Sequence, residues 1–147
     1  MSRWKFPFLT WCLHVRLHFP HVVPLTAMKL AQVRRFAMSL PDVTEEPHFN
    51  YCSFRVRGKI FATAPPEGEH LHVFVAEAER DMALALEPAF LEKLHWGVRV
   101  VGLRVTLANA KPGVVTTLLA AAWSRKAPKR LHATMAARAV RGKMPGT

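Results

Sequence analysis

The chain has 147 residues, half of them hydrophobic, which is long enough for one domain with a real core and too apolar for a disordered chain. Its formal net charge is +11, and the excess lies late: residues 93–147 carry 11 basic and no acidic side chains, whereas residues 1–92 carry 10 of each. Such an asymmetry suggests a polyanionic partner, such as nucleic acid or an anionic membrane surface. A basic tail that only promotes solubility explains it equally well.

Residues 1–27 differ in character from the rest of the chain, with no acid, three prolines and three histidines. They do not form a clean signal peptide, because His14, Arg16 and His18 interrupt the apolar run. No run approaches the roughly 18 apolar residues of a membrane span, and no membrane partner is expected. We therefore predict an extension at residues 1–27, either disordered or not translated, a domain at 28–131 and a basic tail at 132–147.

The first predicted element is a helix over Met28–Leu40, where apolar residues recur at helical spacing until Pro41 ends the pattern. The following segment, Asp42–Asn50, is acidic and contains a proline, and it is predicted to be a loop.

A β-hairpin is predicted within Phe49–Ala64, because aromatic and β-branched residues alternate with polar ones on either side of Arg57-Gly58. A two-residue turn at Arg57-Gly58 would make Phe54 and Phe61 direct cross-strand partners.

The second half of the chain alternates predicted strands and helices. These are a strand at His70–Val75, a helix at Glu77–Leu86, an irregular segment with a corner at Leu91–Gly97, a strand at Val98–Leu107 and helices at Lys111–Lys126 and Lys129–Val140. The order α-β-β-β-α-β-α predicts an α+β fold with an antiparallel sheet. Its core is predicted to hold Phe54, Val56, Phe61, Val73, Val101, Leu103, Leu118, Leu119 and Trp123, and Trp96 is interpreted as a core or corner residue.

Four strings then resemble the MmcQ/YjbR family of small bacterial proteins: RRFAMSLPDVTEEPHF, FRVRGKIFAT, VVGLRVTL and LLAAAWSRKAPKRL. The resemblance covers about Met28–Leu131. It implies a fold like that of the CyaY/frataxin group, an antiparallel sheet with helices packed on one face. It also implies a double-wing DNA-binding motif, and it supplies no catalytic residues.

The sequence carries a set of cations suited to the phosphates of a nucleic-acid backbone, which supply most sequence-independent affinity. Together with the family resemblance, they favour DNA as the partner, without base-specific reading. The predicted contact residues are Arg55, Arg57, Lys59, Arg99, Arg104, Lys126, Lys129 and Arg130.

The sequence favours functions other than DNA binding less strongly. A protein-interaction domain that uses an open sheet face or edge is the alternative function. His70 and His72 share the spacing of a metal pair, but exposed strand histidines explain them better, so neither metal nor cofactor is expected. The sequence contains no Ser/His/Asp or Cys/His order typical of nucleophilic catalysis and no glycine-rich phosphate-binding loop, so no enzyme is predicted.

The two cysteines, Cys12 and Cys52, do not form a disulfide framework, which favours a reducing, cytoplasmic setting.

Overall fold

A computed structural model describes residues 27–142 of the chain, which form one antiparallel sheet and four helices. The elements in chain order are α1 (Leu30–Ser39), β1 (Val43–His48), β2 (Tyr51–Val56), β3 (Lys59–Ala64), β4 (His70–Val73), α2 (Glu77–Leu86), β5 (Leu91–Trp96), β6 (Arg99–Thr106), α3 (Pro112–Lys126) and α4 (Lys129–Gly142). A short 3₁₀ turn at Leu107–Asn109 joins β6 to α3. The predicted α+β fold is confirmed.

The six strands lie in the order β1-β2-β3-β4-β6-β5, and each neighbouring pair is antiparallel. One face of this sheet packs against the helices, and its side chains form the core together with the apolar stripe of α3. The other face carries no helix from the described range and is the open face of the sheet. Eight of the nine predicted core residues are buried in a single cluster, and Val101 is the exception.

Helix α3 is held tightly against the sheet because its buried stripe recurs every three or four residues. Pro112 suits the first turn, where its missing N–H has no helical partner, and Pro128 follows the last turn. Trp123 is buried near the end of α3, and its Nε1–H donates to the Pro41 carbonyl at 3.0 Å. This bond fixes the C-terminal end of α3 beside the start of β1.

The predicted loop at Asp42–Asn50 was wrong, since Val43–His48 forms the edge strand β1. Val43 and Glu45 are partly buried while Thr44 and Glu46 point to solvent, so the alternation of a strand is present with charged residues in place of apolar ones. Edge strands tolerate charge and proline because one side of their backbone needs no partner, which is why the pattern was hidden.

The irregular segment predicted at Leu91–Gly97 was also wrong, because Leu91–Trp96 forms the opposite edge strand, β5. It pairs with β6 through a two-residue turn at Gly97-Val98, in which Gly97 takes a φ of +59°. A glycine at the first central position suits the mirror-image turns that match the twist of a hairpin.

The β2–β3 hairpin turns at Arg57-Gly58 as predicted, with positive φ at both residues (+51° and +79°), as a type I′ turn requires. The predicted partnership of Phe54 and Phe61 was wrong, because the register shifts after Phe54 and pairs it with Ala62. Both phenylalanines are nevertheless buried in the core, since the irregularity turns Phe61 inward.

A second register shift, between Leu94 and His95, explains why Val101 is not in the core. Leu94 pairs with Gly102 and His95 pairs with Val100, so Val101 has no partner in β5. It was predicted to share a face with Leu103, but it is partly exposed.

The predicted domain boundaries stay predictions. Residues 1–26 and 143–147 lie outside the described residues, as does Cys12. Met28 is buried and donates its N–H to the Leu107 carbonyl at 3.0 Å, so it packs with the rest of the described fold. Helix α4 continues to Gly142, past the boundary predicted at 131, and Arg138 donates to the Ser39 carbonyl at the end of α1. Within residues 27–142, no helix combines the length and the apolar character needed to cross a membrane.

Candidate nucleic-acid interface

The strand order brings several cations to one end of the sheet. Because neighbouring strands are antiparallel, the β2–β3 turn, the end of β4 and the β5–β6 turn all lie at the same end. The C-terminus of α3 reaches this end too, since Arg125 Nη1 donates to the carbonyl of Val75, just after β4, at 3.3 Å. We call the following set the cationic end: Lys59, Arg99, Arg125, Lys126, Lys129 and Arg130.

Three of the eight predicted contact residues are neutralised by neighbouring carboxylates. Arg55 pairs with Glu46 at 3.4 Å, Arg57 with Asp42 at 3.1 Å, and Arg104 with Glu92 at 3.4 Å. In the first two pairs the acid comes from β1 or the turn before it. Because this segment was predicted to be a loop, the sequence did not indicate that Glu46 and Asp42 would lie beside the cations of the hairpin.

The other five predicted contact residues form no ion pair with any described residue, and all five belong to the cationic end. They are Lys59, Arg99, Lys126, Lys129 and Arg130. Arg125 was not predicted, although it stands next to Lys126 and carries the same sequence signal, a cation in the last turn of the helix.

The open face of the sheet forms a concavity of about 700 Å³, which reaches from the β1–β2 turn to the cationic end. Its side chains are mainly aromatic, imidazole and aliphatic, and Arg125 and Lys126 line it at one end. Among residues 27–142, no acidic residue lines it. We call it the aromatic concavity, lined by His48, Phe49, Tyr51, His72, Phe74 and Trp96.

Two rings of the aromatic concavity are strongly exposed. Phe49 in the β1–β2 turn is 90% exposed, and Trp96 beside the β5–β6 turn is 75% exposed. Deeper on the open face, the rings of Tyr51 and His72 lie 5.9 Å apart. Trp96 was interpreted as a core or corner residue, and it lies at the corner beside the β5–β6 turn and outside the core. The glycine directly after it in the sequence indicated this position.

The floor of the open face also holds a polar cluster around His70, His72 and Arg104. Burial, followed by the nearby charges of Arg104 and His70, lowers the pKa of His72 below 6.5, and Glu67 acts weakly in the opposite direction. Arg104 Nη2 lies 3.4 Å from His70 Nε2. The buried His70 Nδ1 and Arg104 Nε have no hydrogen-bond partner in the described structure.

In the described part of the chain, no group of three or more His, Cys, Asp or Glu side chains is arranged so that it could hold a metal ion. Cys52 is not a reactive thiol, since burial raises its pKa to about 11 and the thiol donates to Glu45 Oε1 at 2.8 Å. The same carboxylate accepts from Arg34 Nε, so these groups tie β1 and β2 to α1.

A second, more polar cavity of about 580 Å³ adjoins the aromatic concavity, and Trp96, Val101 and Arg125 line both. Arg80 and Arg99 complete its basic lining, and Glu77 is the one acidic residue among the described residues that line it. The guanidinium group of Arg80 pairs with Glu77 and Asp81, whereas Arg99 forms no ion pair within the described range. We call this cavity the guanidinium pocket.

Comparison with known proteins supports the fold. A family model described as YjbR matches residues 38–125. The crystal structure of Deinococcus radiodurans protein DR2400, which carries a DUF419 domain, is similar with a TM-score of 0.58 and 15% identity, covering 66% of this chain and 77% of that one. The search of curated proteins gave no match. At this identity, the structural similarity reports on the fold alone.

Proposed function

We propose that this chain, which belongs to the YjbR family, binds DNA without catalysing a reaction, by contacting backbone phosphates through its cationic end. The observation that carries the proposal is the gathering of six cations at one end of the sheet, none of them in an ion pair with a described residue. Cations without a carboxylate partner remain available to displace the counterions that surround a DNA backbone.

The geometry of the hairpins supports the same function. The β2–β3 and β5–β6 turns project at the same end of the sheet and carry Lys59 and Arg99, as two wings of a DNA-binding motif would. Neither Arg55 nor Arg104 supports the proposal, because each lies on the open face with its charge balanced by a glutamate.

The proposal is tested by removing part of the cationic end. The triple variant Lys126→Ala, Lys129→Ala, Arg130→Ala should weaken binding of a labelled duplex about equally across DNA sequences. The slope of log affinity against log salt should become shallower by roughly 2–3, because each lost phosphate contact contributes about 0.9.

Lys111→Ala provides the matched control, since Lys111 lies at the other end of α3, about 22 Å away at 1.5 Å per residue. It is exposed and pairs with Glu87 at 2.8 Å, so its removal should leave DNA affinity within about twofold. Equal losses in the triple variant and in Lys111→Ala would contradict a localised interface.

A protein partner bound to the open face is the second candidate, and the exposed rings of Phe49 and Trp96 favour it. An interface of this kind depends on apolar contact. Its affinity should therefore change little between low and high salt, whereas phosphate contacts should weaken steeply.

A further inference from the structure

We infer that the site binds single-stranded DNA more tightly than duplex DNA, with bases stacked in the aromatic concavity and the adjoining phosphate held in the guanidinium pocket. This inference rests on the proposed function and deepens it. It assigns a role to the open face of the sheet, which backbone contacts alone leave unused.

The shape and lining of the aromatic concavity favour bases. Its volume of about 700 Å³ is in the range of pockets that enclose small organic groups, about 300–1,000 Å³. Aromatic side chains bind bases of any sequence because every base presents a π-face. The exposed rings of Phe49 and Trp96 stand near opposite edges of the sheet, so both ends of the concavity offer a stacking surface.

Single strands are favoured because the bases of a duplex are stacked on one another. A duplex presents only base edges in its grooves, and rings such as Trp96 have no base face to contact there. In a single strand the bases are free to turn outward from the backbone. The stacking surface is therefore useful only to an unpaired strand.

The positive charges around the concavity favour a nucleotide over an apolar peptide as its ligand. Trp96 and Arg125 line both cavities, so a ring on Trp96 lies beside the guanidinium groups of Arg125 and Arg99. A nucleotide has this combination of a flat ring and a nearby anion. Arg125 uses one nitrogen on the Val75 carbonyl, and its other donors remain for a phosphate.

The test compares three labelled ligands of equal length by fluorescence anisotropy at low salt, using the full chain. They are a mixed-sequence single strand, the corresponding duplex and an abasic single strand, which retains the phosphates and lacks the bases. We expect the single strand to bind at least tenfold more tightly than either of the others. Equal binding of the abasic strand, or tighter binding of the duplex, would overturn the inference while leaving the proposed function intact. Absence of binding by all three ligands would overturn both.

Variants locate the contact. Trp96→Ala and Phe49→Ala should each weaken single-strand binding roughly 5- to 140-fold, the effect of losing one stacked base, and should leave abasic-strand binding unchanged. Val98→Ala is the matched control, because Val98 is 99% exposed in the turn that follows Trp96 but does not line the concavity. Losses as large in Val98→Ala as in Trp96→Ala would refute a stacking contact at this position.

Trp96 also supplies a direct readout. Binding of the single strand should quench tryptophan fluorescence in the intact chain, and this quenching should decrease in Trp96→Phe, which retains an aromatic ring. Trp123 is buried and should respond little, and Trp4 and Trp11, which lie outside the described residues, are common to both proteins, so the difference between the two signals reports on Trp96. Quenching of the same size in Trp96→Phe would contradict stacking on Trp96.

Discussion

Two neighbouring hairpin cations, Arg57 and Lys59, show how local contacts decide which charges are available to a ligand. Arg57 lies 3.1 Å from the Asp42 carboxylate, whereas Lys59 has no carboxylate partner within the described residues. From the sequence alone, Arg57 and Lys59 are both cations at the tip of one hairpin and cannot be distinguished. The difference depends on Asp42, which approaches the turn only because the chain after Pro41 runs back along β2 as an edge strand.

His72 makes stability depend on pH. Burial, followed by the charges of Arg104 and His70, lowers its pKa in the folded chain, so as the pH falls the unfolded chain takes up a proton here more readily than the folded chain does. The free energy of unfolding should therefore decrease as the pH falls from 7.5 to 5.5. His72→Gln removes this contribution and retains a polar partner for the Thr63 hydroxyl.

Denaturant unfolding of both proteins at pH 7.5 and 5.5 measures the effect. The loss of stability on acidification should be smaller in His72→Gln than in the unchanged chain, because the histidines remote from His72 contribute equally to both proteins. Identical losses would show that His72 does not contribute to the pH dependence.

At the scale of elements, the sequence predicted those with a strong apolar period and missed those without one. Helix α2 was predicted at its observed bounds, and α1, α3 and α4 differ by one or two residues at their ends. The two missed elements, β1 and β5, are the edge strands of the sheet. Their exposed backbone edges favour charged residues, which weaken the apolar alternation that identifies inner strands.

The β4–β6 pairing leaves no space for a side chain at Gly102. A Cβ atom placed there would lie 2.3 Å from the Val73 carbonyl oxygen, and backbone atoms cannot move aside easily. Gly102→Ala should therefore lower the free energy of unfolding by about 2 kcal/mol or more, the order of cost of an overpacked interior.

Gly113→Ala is the control for this prediction, because it makes the same chemical change in helix α3, where the new methyl group meets nothing within 4 Å apart from the adjoining residues and the backbone of its own helix. It should raise stability by about 0.4–1 kcal/mol, since alanine restricts the unfolded chain and suits a helix. Thermal or denaturant unfolding distinguishes the two variants. Equal stability of Gly102→Ala and the unchanged chain would mean that β4 and β6 are less closely paired than described.

At the scale of the whole molecule, the excess positive charge in residues 93–147 predicted a polyanionic partner but not its location. The fold brings Arg99 from β6, Lys126 from α3 and Lys59 from β3 to one end of the sheet, and their separation in sequence conceals this. The aromatic concavity could not be predicted either. Its rings come from both edges of the sheet, and β1 and β5 were not recognised as strands.

The central claim, that the cationic end contacts backbone phosphates, is tested most directly by titrating single-stranded and duplex DNA with the intact chain over a series of salt concentrations. Up to six cations without an ion pair predict a linear fall of log affinity with log salt and a slope of roughly −2 to −5, at about 0.7–0.9 per contact. Absence of measurable affinity for either form at low salt, or an affinity that does not change with salt, would contradict the account.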